Sequence, residues 1–338
     1  MNVFEFTRAL VDIESITGNE YAVGAFLQDF VSKLAARTNG HIEHMEVEKD
    51  RFNVFASWGV PLVVLSTHME TVPPFLSSRE DAEFIWGRGS CDAKGIAAAM
   101  IGAAEKLLSE GATNFGLLFV VGEERNSTGA LAAARSPRGS RYLINGEPTE
   151  NKLAIASKGA LRLEIHARGQ MAHSAYPELG ESAINALLDA LEKVRRISLP
   201  HDSVLGPTTL NIGTIAGGRA PNVIADEAHA EVLVRLTGDA AIVRDAIAAA
   251  IDGRAELKEV LAVPVIYFER VDGLPTTVVS YTTDVPALCP AWGKPVMLGP
   301  GSILVAHTTE ERISKRALAE AVQIYANMVR QLQTQAQR

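Results

Sequence analysis

A chain of 338 residues is longer than one ordinary hydrophobic core supports, so about two domains are expected. Its formal net charge of −8 and pI of about 5.6 argue against nucleic acid or an anionic membrane surface as a partner. Cys91 and Cys289 make no disulfide framework and suit a reducing compartment, and no apolar run approaches the ~18 residues of a membrane span. The N-terminal segment lacks the basic start and apolar centre of a signal peptide, so a soluble, cytoplasmic protein is expected.

In chain order, Phe4 to Ile16 has helical period, with Phe6, Leu10 and Ile13 on one face. A second helix is expected over Ala22 to Ala36. His41 to Val47 alternates as a strand does, and Phe52 to Ser57 reads as its partner. Pro61 to Thr67 is a continuous apolar run, the pattern of a strand buried on both faces, and it stops at His68. A glycine-punctuated loop, Trp86 to Gly95, feeds an Ala-rich helix from Ile96 to Leu108. Asn114 to Val121 is the next buried strand, stopping before Glu123 and Glu124. Tyr142 to Asn145 is another, ending in Gly146-Glu147-Pro148-Thr149. Strands alternating with helices, with acids and imidazole where the strands stop, predict an α/β layer whose site lies at the carboxyl edge.

The pattern changes near Lys158. Leu161 to Arg168 alternates strictly, a helix is expected over Glu181 to Ile197, then strands at Thr208 to Ile215 and Ala228 to Leu236. A helix over Ala240 to Ile251 and a last strand at Val263 to Phe268 complete the order β-α-β-β-α-β of a ferredoxin-like sandwich. Residues 158–271 are therefore read as an inserted domain, with 1–157 and 272–338 forming the first domain and a C-terminal helix starting at Ser314.

His68, Asp92, Glu124, Glu147 and His307 are the candidate ligands. Mixed imidazole and carboxylate donors suit zinc, with cobalt or manganese as substitutes. Two cations sharing one carboxylate would explain so many acids at one edge. Glu123, beside a ligand but spare, could act as general base. Each residue alone has a plainer reading: Asp92 a helix N-cap, Gly87 and Gly89 an incomplete dinucleotide loop, Gly146 a turn, His307 a surface histidine. Their joint occurrence where apolar strands stop favours the metal reading.

His68-Met-Glu70, Gly87 to Gly95, Glu123-Glu124, Gly146-Glu147-Pro-Thr149, Gly299-Pro-Gly301-Ser-Ile303 and Ala306-His307 resemble the co-catalytic zinc amidohydrolase family. That family includes acetylornithine deacetylase, succinyl-diaminopimelate desuccinylase, aminoacylase and carboxypeptidase G. The resemblance implies a zinc-peptidase-like three-layer catalytic domain with an inserted lid and dimerisation domain, and two zincs per subunit. It implies that His68 and Glu147 hold one zinc, Glu124 and His307 the other, that Asp92 bridges them, and that Glu123 is the general base. It also implies a cis peptide at Asp92-Ala93. The loop from Ala172-His173 to Ile184 resembles the family's dimerisation-domain histidine loop, whose histidine reaches the partner subunit's site. Asn222 and Arg235 resemble a desuccinylase-type substrate pair; Arg235 and the backbone near Gly301 would hold a substrate carboxylate.

The sequence departs from the family pattern in places. Glu70 stands where the family usually has aspartate, so a longer arm would have to orient the His68 imidazole. Gly95 is followed by Ile96 in place of a second glycine. The stretch from Asp272 to Tyr281 is too short for the helix the family places there. Glu147, in place of aspartate, resembles the deacylase branch, and Gly299-Pro-Gly-Ser-Ile303 followed by Ala306-His307-Thr-Thr-Glu310-Glu311 looks most like acetylornithine deacetylase. The expected activity is hydrolysis of an N-acyl amino acid: N-acetylornithine, or a relative such as acetylcitrulline or acetyl-lysine. The alternatives are a metallo-dipeptidase or carboxypeptidase using the same site, and a non-catalytic binding protein that keeps the fold.

Overall fold

Alternate residues along the central strands go to different cores, and this period of two produces the layered architecture. The computed structural model describes residues 1–337. The chain divides into two compact units. The first holds Met1–Ile155, Phe268–Thr277 and the segment from Thr283 on; the second holds Ala156–Tyr267 and Val278–Thr282. Among the described residues no helix is long and apolar enough to cross a membrane.

The sheet of the first unit runs in the order His41–Glu48, Arg51–Trp58, Phe115–Val120, Val63–His68, Tyr142–Asn145, Lys294–Met297, and then Leu153–Ser157, along which the chain passes to the second unit. Val63–His68 is parallel to both Phe115–Val120 and Tyr142–Asn145, and Lys294–Met297 is parallel to Tyr142–Asn145. Leu65, Leu117, Phe119 and Ile144 face a core shared with the helices Val3–Val11, Tyr21–Thr38, Lys94–Ser109 and Lys315–Ala336. Val64, Leu118, Val120 and Leu143 face the opposite core, against Thr128–Ala134, Val285–Leu288 and Trp292. The result is three layers, helices on both faces of a mixed sheet. Parallel strands need both faces covered, which is why they read as unbroken apolar runs. Lys94–Ser109 packs its small side chains, Ala97, Ala98, Ala99, Ala103 and Ala104, inward. The first helix stops at Val11, short of Ile16; its C-cap Asp12 accepts hydrogen bonds from the Ser78 N–H and Oγ at 2.7 and 2.9 Å.

In the second unit the sheet order is Thr209–Gly217, Glu227–Leu236, Gly159–Arg168, Glu256–Val263, with every neighbouring pair antiparallel. The helices Ala183–Val194 and Ala240–Ile251 cover one face, burying Leu161, Leu163, Ile165, Val232 and Val234 with Leu187 and Ile247. This chain order and spatial order are those of a ferredoxin-like sandwich. The last strand differs from the expectation at 263–268. It is Glu256–Val263, an edge strand that is mostly exposed and so lacks the apolar run by which an inward strand is read. Of the expected segment, Val263 closes that edge strand opposite Ala160, and Ile266–Tyr267 pairs with Ser157 and Ala156. Residues 272–281 hold the strand Thr276–Val279, and a short helix, Val285–Leu288, follows.

Candidate metal centre

Parallel strands end at one edge, and the chain turns there with acids or imidazole at each turn. Val63–His68 ends on His68 itself. Phe115–Val120 runs into Gly122, whose φ of 84° starts a turn; its carbonyl accepts from the N–H groups of Asn126 and Ser127 at 3.1 and 2.7 Å. Glu123 and Glu124 ride on that turn. Tyr142–Asn145 leads to Glu147, and the Asn145 Nδ2 donates to Glu147 Oε1 at 3.3 Å. The Glu147 loop lies against the glycine loop at 299. The Thr149 N–H donates to the Gly299 carbonyl at 3.1 Å, and the Gly299 N–H to Thr149 Oγ1 at 3.0 Å. A Cβ at residue 299 would stand 2.5 Å from the Glu147 carbonyl oxygen, so only glycine permits this approach.

Asp92 is the centre of the arrangement. Its Oδ1 lies 2.9 Å from His68 Nε2, and its Oδ2 lies 3.4 Å from His307 Nε2. His307 Nε2 is also 2.8 Å from Glu124 Oε1. Ligand atoms of His68, Asp92 and Glu124 all fall within 4.8 Å of one another. One carboxylate thus addresses two imidazoles with separate oxygens. Asp92 is not the N-cap of the following helix: Ala93 holds that position and no side chain caps it. The Asp92-Ala93 peptide is cis. His307 adopts a φ of 63°, in the left-handed region that residues other than glycine use sparingly.

The charges are strongly perturbed. Burial disfavours a charged Asp92, but hydrogen bonds from His307 and His68 outweigh it and hold its carboxyl well below the usual range. Burial likewise opposes protonation of His68, yet the hydrogen bond to Asp92 and the charges of Glu70, Asp92 and Glu123 raise it well above an ordinary histidine. Hydrogen bonds to Asp92 and Glu124 push His307 up to about 10. Loss of water, then repulsion from Glu147, pushes the Glu123 carboxyl well up. Glu147 is raised too, by burial first, with Asp92, Asp284 and Glu124 adding repulsion against the pull of His68.

Glu70 does not take the role expected from its position. His68 Nδ1 lies 3.2 Å from the Glu70 backbone carbonyl, not from its carboxylate. The carboxylate instead accepts from the Glu124 N–H at 3.2 Å through Oε1, while Oε2 is buried without a hydrogen-bond partner. The longer arm carries the charge past the imidazole and onto the neighbouring turn. Burial raises its pKa to about 7. Asp284, which belongs to none of the sequence motifs, is 2% exposed, and neither of its oxygens has a hydrogen bond of good geometry. Burial raises it to about 6 against the opposing pull of the nearby Ser127 hydroxyl. Its charge acts on Glu70, Glu123 and Glu147. Glu311 and Arg88, likewise outside the expected ligand set, form a buried ion pair beneath the Asp92 loop. They lie 223 positions apart in the chain, so no local pattern joins them.

Gly301 belongs to the first unit, with a φ of 87° and a Cβ position only 2.5 Å from Cys91 Sγ; its carbonyl accepts from the Glu150 N–H at 2.7 Å. His173, Asn222 and Arg235 belong to the second unit. His173 and Asn222 lie on facing loops, where the Ser174 N–H donates to the Asn222 carbonyl at 3.0 Å and His173 bridges to Val223. Arg235 is half-buried on the strand Glu227–Leu236, opposite Thr209 and Ala160, and burial lowers its pKa.

The chain matches the family model described as peptidase family M20/M25/M40 over residues 64–331. It is 39% identical over 340 residues to a peptidase M20 domain-containing protein of Schizosaccharomyces pombe, covering 97% of this chain and 84% of that protein. It is 40% identical over 367 residues to a probable carboxypeptidase of Aspergillus terreus, covering 96% of this chain and 85% of the relative. Among solved structures the aminopeptidase PepT of Bacillus cereus shares the fold, with a TM-score of 0.79 at 20% identity over 98% of each chain. With the sequence match spanning most of its length and the fold agreeing from end to end, the chain belongs to peptidase family M20/M25/M40 and is a hydrolase of the metallopeptidase class.

Proposed function

We propose that the chain is a metal-dependent amide hydrolase acting on N-acyl amino acids, with N-acetylornithine, acetylcitrulline or acetyl-lysine as the kind of substrate. The observation that carries this is Asp92, whose two oxygens separately meet His68 and His307. Imidazole nitrogens pressed against carboxylate oxygens need a proton or a cation between them, and this donor set fits zinc, with cobalt or manganese as substitutes. His68 and Glu147 would hold one ion, Glu124 and His307 the other, and Asp92 both. Such ions, when bound, lower the pKa of water and polarise a carbonyl.

The remaining work falls to the protein's own groups. Glu123, with its carboxyl raised by loss of water, would take a proton from water and deliver it to the departing nitrogen. Glu70 would support the turn that presents Glu124 through the Glu124 N–H. Arg235, a planar fork partly removed from water, suits a substrate carboxylate. Asn222, the Gly301 backbone and His173 acting from a partner subunit complete the substrate-binding set. A homodimer through residues 158–271 and a cytoplasmic location belong to this reading, supported by the exposed outer strand Thr209–Gly217 and by two free cysteines.

The relatives named probable carboxypeptidase, at 38–40% identity, favour a second reading: release of the last residue of a dipeptide or short peptide. Both substrates place the scissile amide next to an amino acid with a free carboxylate. A panel of acetyl-amino acids and dipeptides, assayed with added zinc, decides between them. Turnover of acetylated ornithine, citrulline or lysine is the expected result; activity on peptides alone would remove the first reading.

Arg235→Ala is expected to raise KM for carboxylate-bearing substrates by about 10–100-fold, from the roughly 1.5–3 kcal/mol of a hydrogen bond to a charged group. Steady-state kinetics on the free acid and its amide check this, because only the acid should suffer. Metal uptake should strengthen with rising pH. His307 keeps its proton up to about 10 through its bonds to Asp92 and Glu124, and an ion must displace that proton to bind. Zinc affinity measured by chelator competition should climb from about pH 6 to about pH 9 by about one proton's worth per histidine displaced. A flat profile would count against His307 as a ligand.

A further inference from the structure

We propose that Glu311 is a positioning residue for the bridging carboxylate: it ties the loop that carries Asp92 to the segment that carries His307. This rests on the metal reading of the site given above. Glu311 is buried, with 1% exposure, and follows His307 by one short turn of chain. Its Oε1 accepts from the N–H groups of Gly89, Cys91 and Asp92 at 2.8, 3.2 and 3.1 Å. Its Oε2 meets Arg88 Nη1, itself 1% exposed. Its backbone carbonyl accepts from the Gly87 N–H at 3.0 Å. A single residue therefore engages the loop at positions 87, 88, 89, 91 and 92.

A buried carboxylate that accepts several backbone N–H groups is a strong, short-range clamp, because each bond is charge-assisted and cannot be exchanged for water. The clamp acts on the Asp92 backbone itself. The two stretches it joins, residues 87–92 and 307–311, lie more than two hundred positions apart in the chain, and Asp92 Oδ2 must face His307 Nε2 for one carboxylate to serve two imidazoles. Arg88 has a different task. It neutralises the buried charge, and its Nε donates to the Pro74 carbonyl at 3.3 Å. Loss of Arg88 leaves the N–H contacts of Oε1 in place, whereas loss of the Glu311 carboxylate removes them.

The test compares wild type with Glu311→Gln, Glu311→Asp and Arg88→Met for zinc affinity by chelator competition, metal stoichiometry after dialysis, and melting temperature. Glutamine cannot serve both sides, since its amide NH2 must face either the three N–H donors or the Arg88 guanidinium. Glu311→Gln is expected to weaken zinc binding by about 10–100-fold, the usual cost of losing a group that orients a ligand. Excess zinc should restore part of its kcat with little change in KM. Glu311→Asp, with a shorter arm, should fall between it and wild type. Arg88→Met should lower the melting temperature while keeping zinc affinity close to wild type. Unchanged zinc affinity in Glu311→Gln, or equal zinc loss in Arg88→Met, would overturn the proposal and leave only a buried ion pair. If Glu311→Gln does not fold, Glu311→Asp decides by the same measure. Wild-type protein that binds no divalent ion would overturn the metal reading itself, and this is seen before any variant is compared.

Discussion

Glu123→Ala is expected to lower kcat by about 10²–10⁴-fold, the contribution of a positioned general base, while leaving metal content near that of the wild type. Glu124→Ala is expected to lose one ion. The two glutamates are chain neighbours on the turn begun by Gly122, yet their surroundings differ. Glu124 points Oε1 at His307, 2.8 Å away, and its N–H donates to Glu70. Glu123 makes no contribution to that pairing. Loss of water and the charge of Glu147 raise its carboxyl well above the usual carboxylate range. A carboxyl moved toward neutrality can both accept and return a proton at working pH. Metal analysis beside steady-state kinetics checks the pair of variants. Equal metal loss in both would overturn the division of roles.

Asp92→Ala should be more damaging, losing both ions where Glu147→Ala or Glu124→Ala loses one. Its two oxygens address His68 and His307 separately, so of the candidate ligands it is the one that joins the two histidines of the site. Turnover should fall to the detection limit and stay there with added zinc, whereas wild type stripped by a chelator should recover. The buried His68 would also lose the hydrogen bond that holds it charged against burial. Elemental analysis after dialysis is the measurement. A variant that keeps one tightly bound ion would make Asp92 a terminal ligand of the other.

Much of the candidate site is legible in the amino-acid sequence because the physics of strand ends is local. An apolar run that must be covered on both faces identifies a parallel strand. A histidine or glutamate where it stops stands at a predictable edge, as His68, Glu124 and Glu147 do. Glycine is informative for the same reason: a close approach such as that of Gly299 to the Glu147 carbonyl leaves no room for a side chain. The edge strand Glu256–Val263 escapes the pattern because its side chains mostly face water and leave no apolar signature. Glu70 departs from its expected role because residue identity says nothing of where a flexible arm will find a donor. The Glu124 N–H lies within its reach, and the imidazole takes the backbone carbonyl instead.

The sequence by itself determined the α/β layer and the ferredoxin-like order of the inserted segment, which follow from periodicity, and it offered the candidate ligand set from residue type at strand ends, in loops and in the motifs that carry the family resemblance. Only the tertiary structure decided which oxygen of Asp92 meets which imidazole, and that Glu311 and Arg88 lie beneath the loop that holds it. It alone brought the buried Asp284 beside the acids of the site. These are contacts between groups far apart in the chain. They exist because folding excludes water from a shared space, and no local pattern records which distant charges will be left there together.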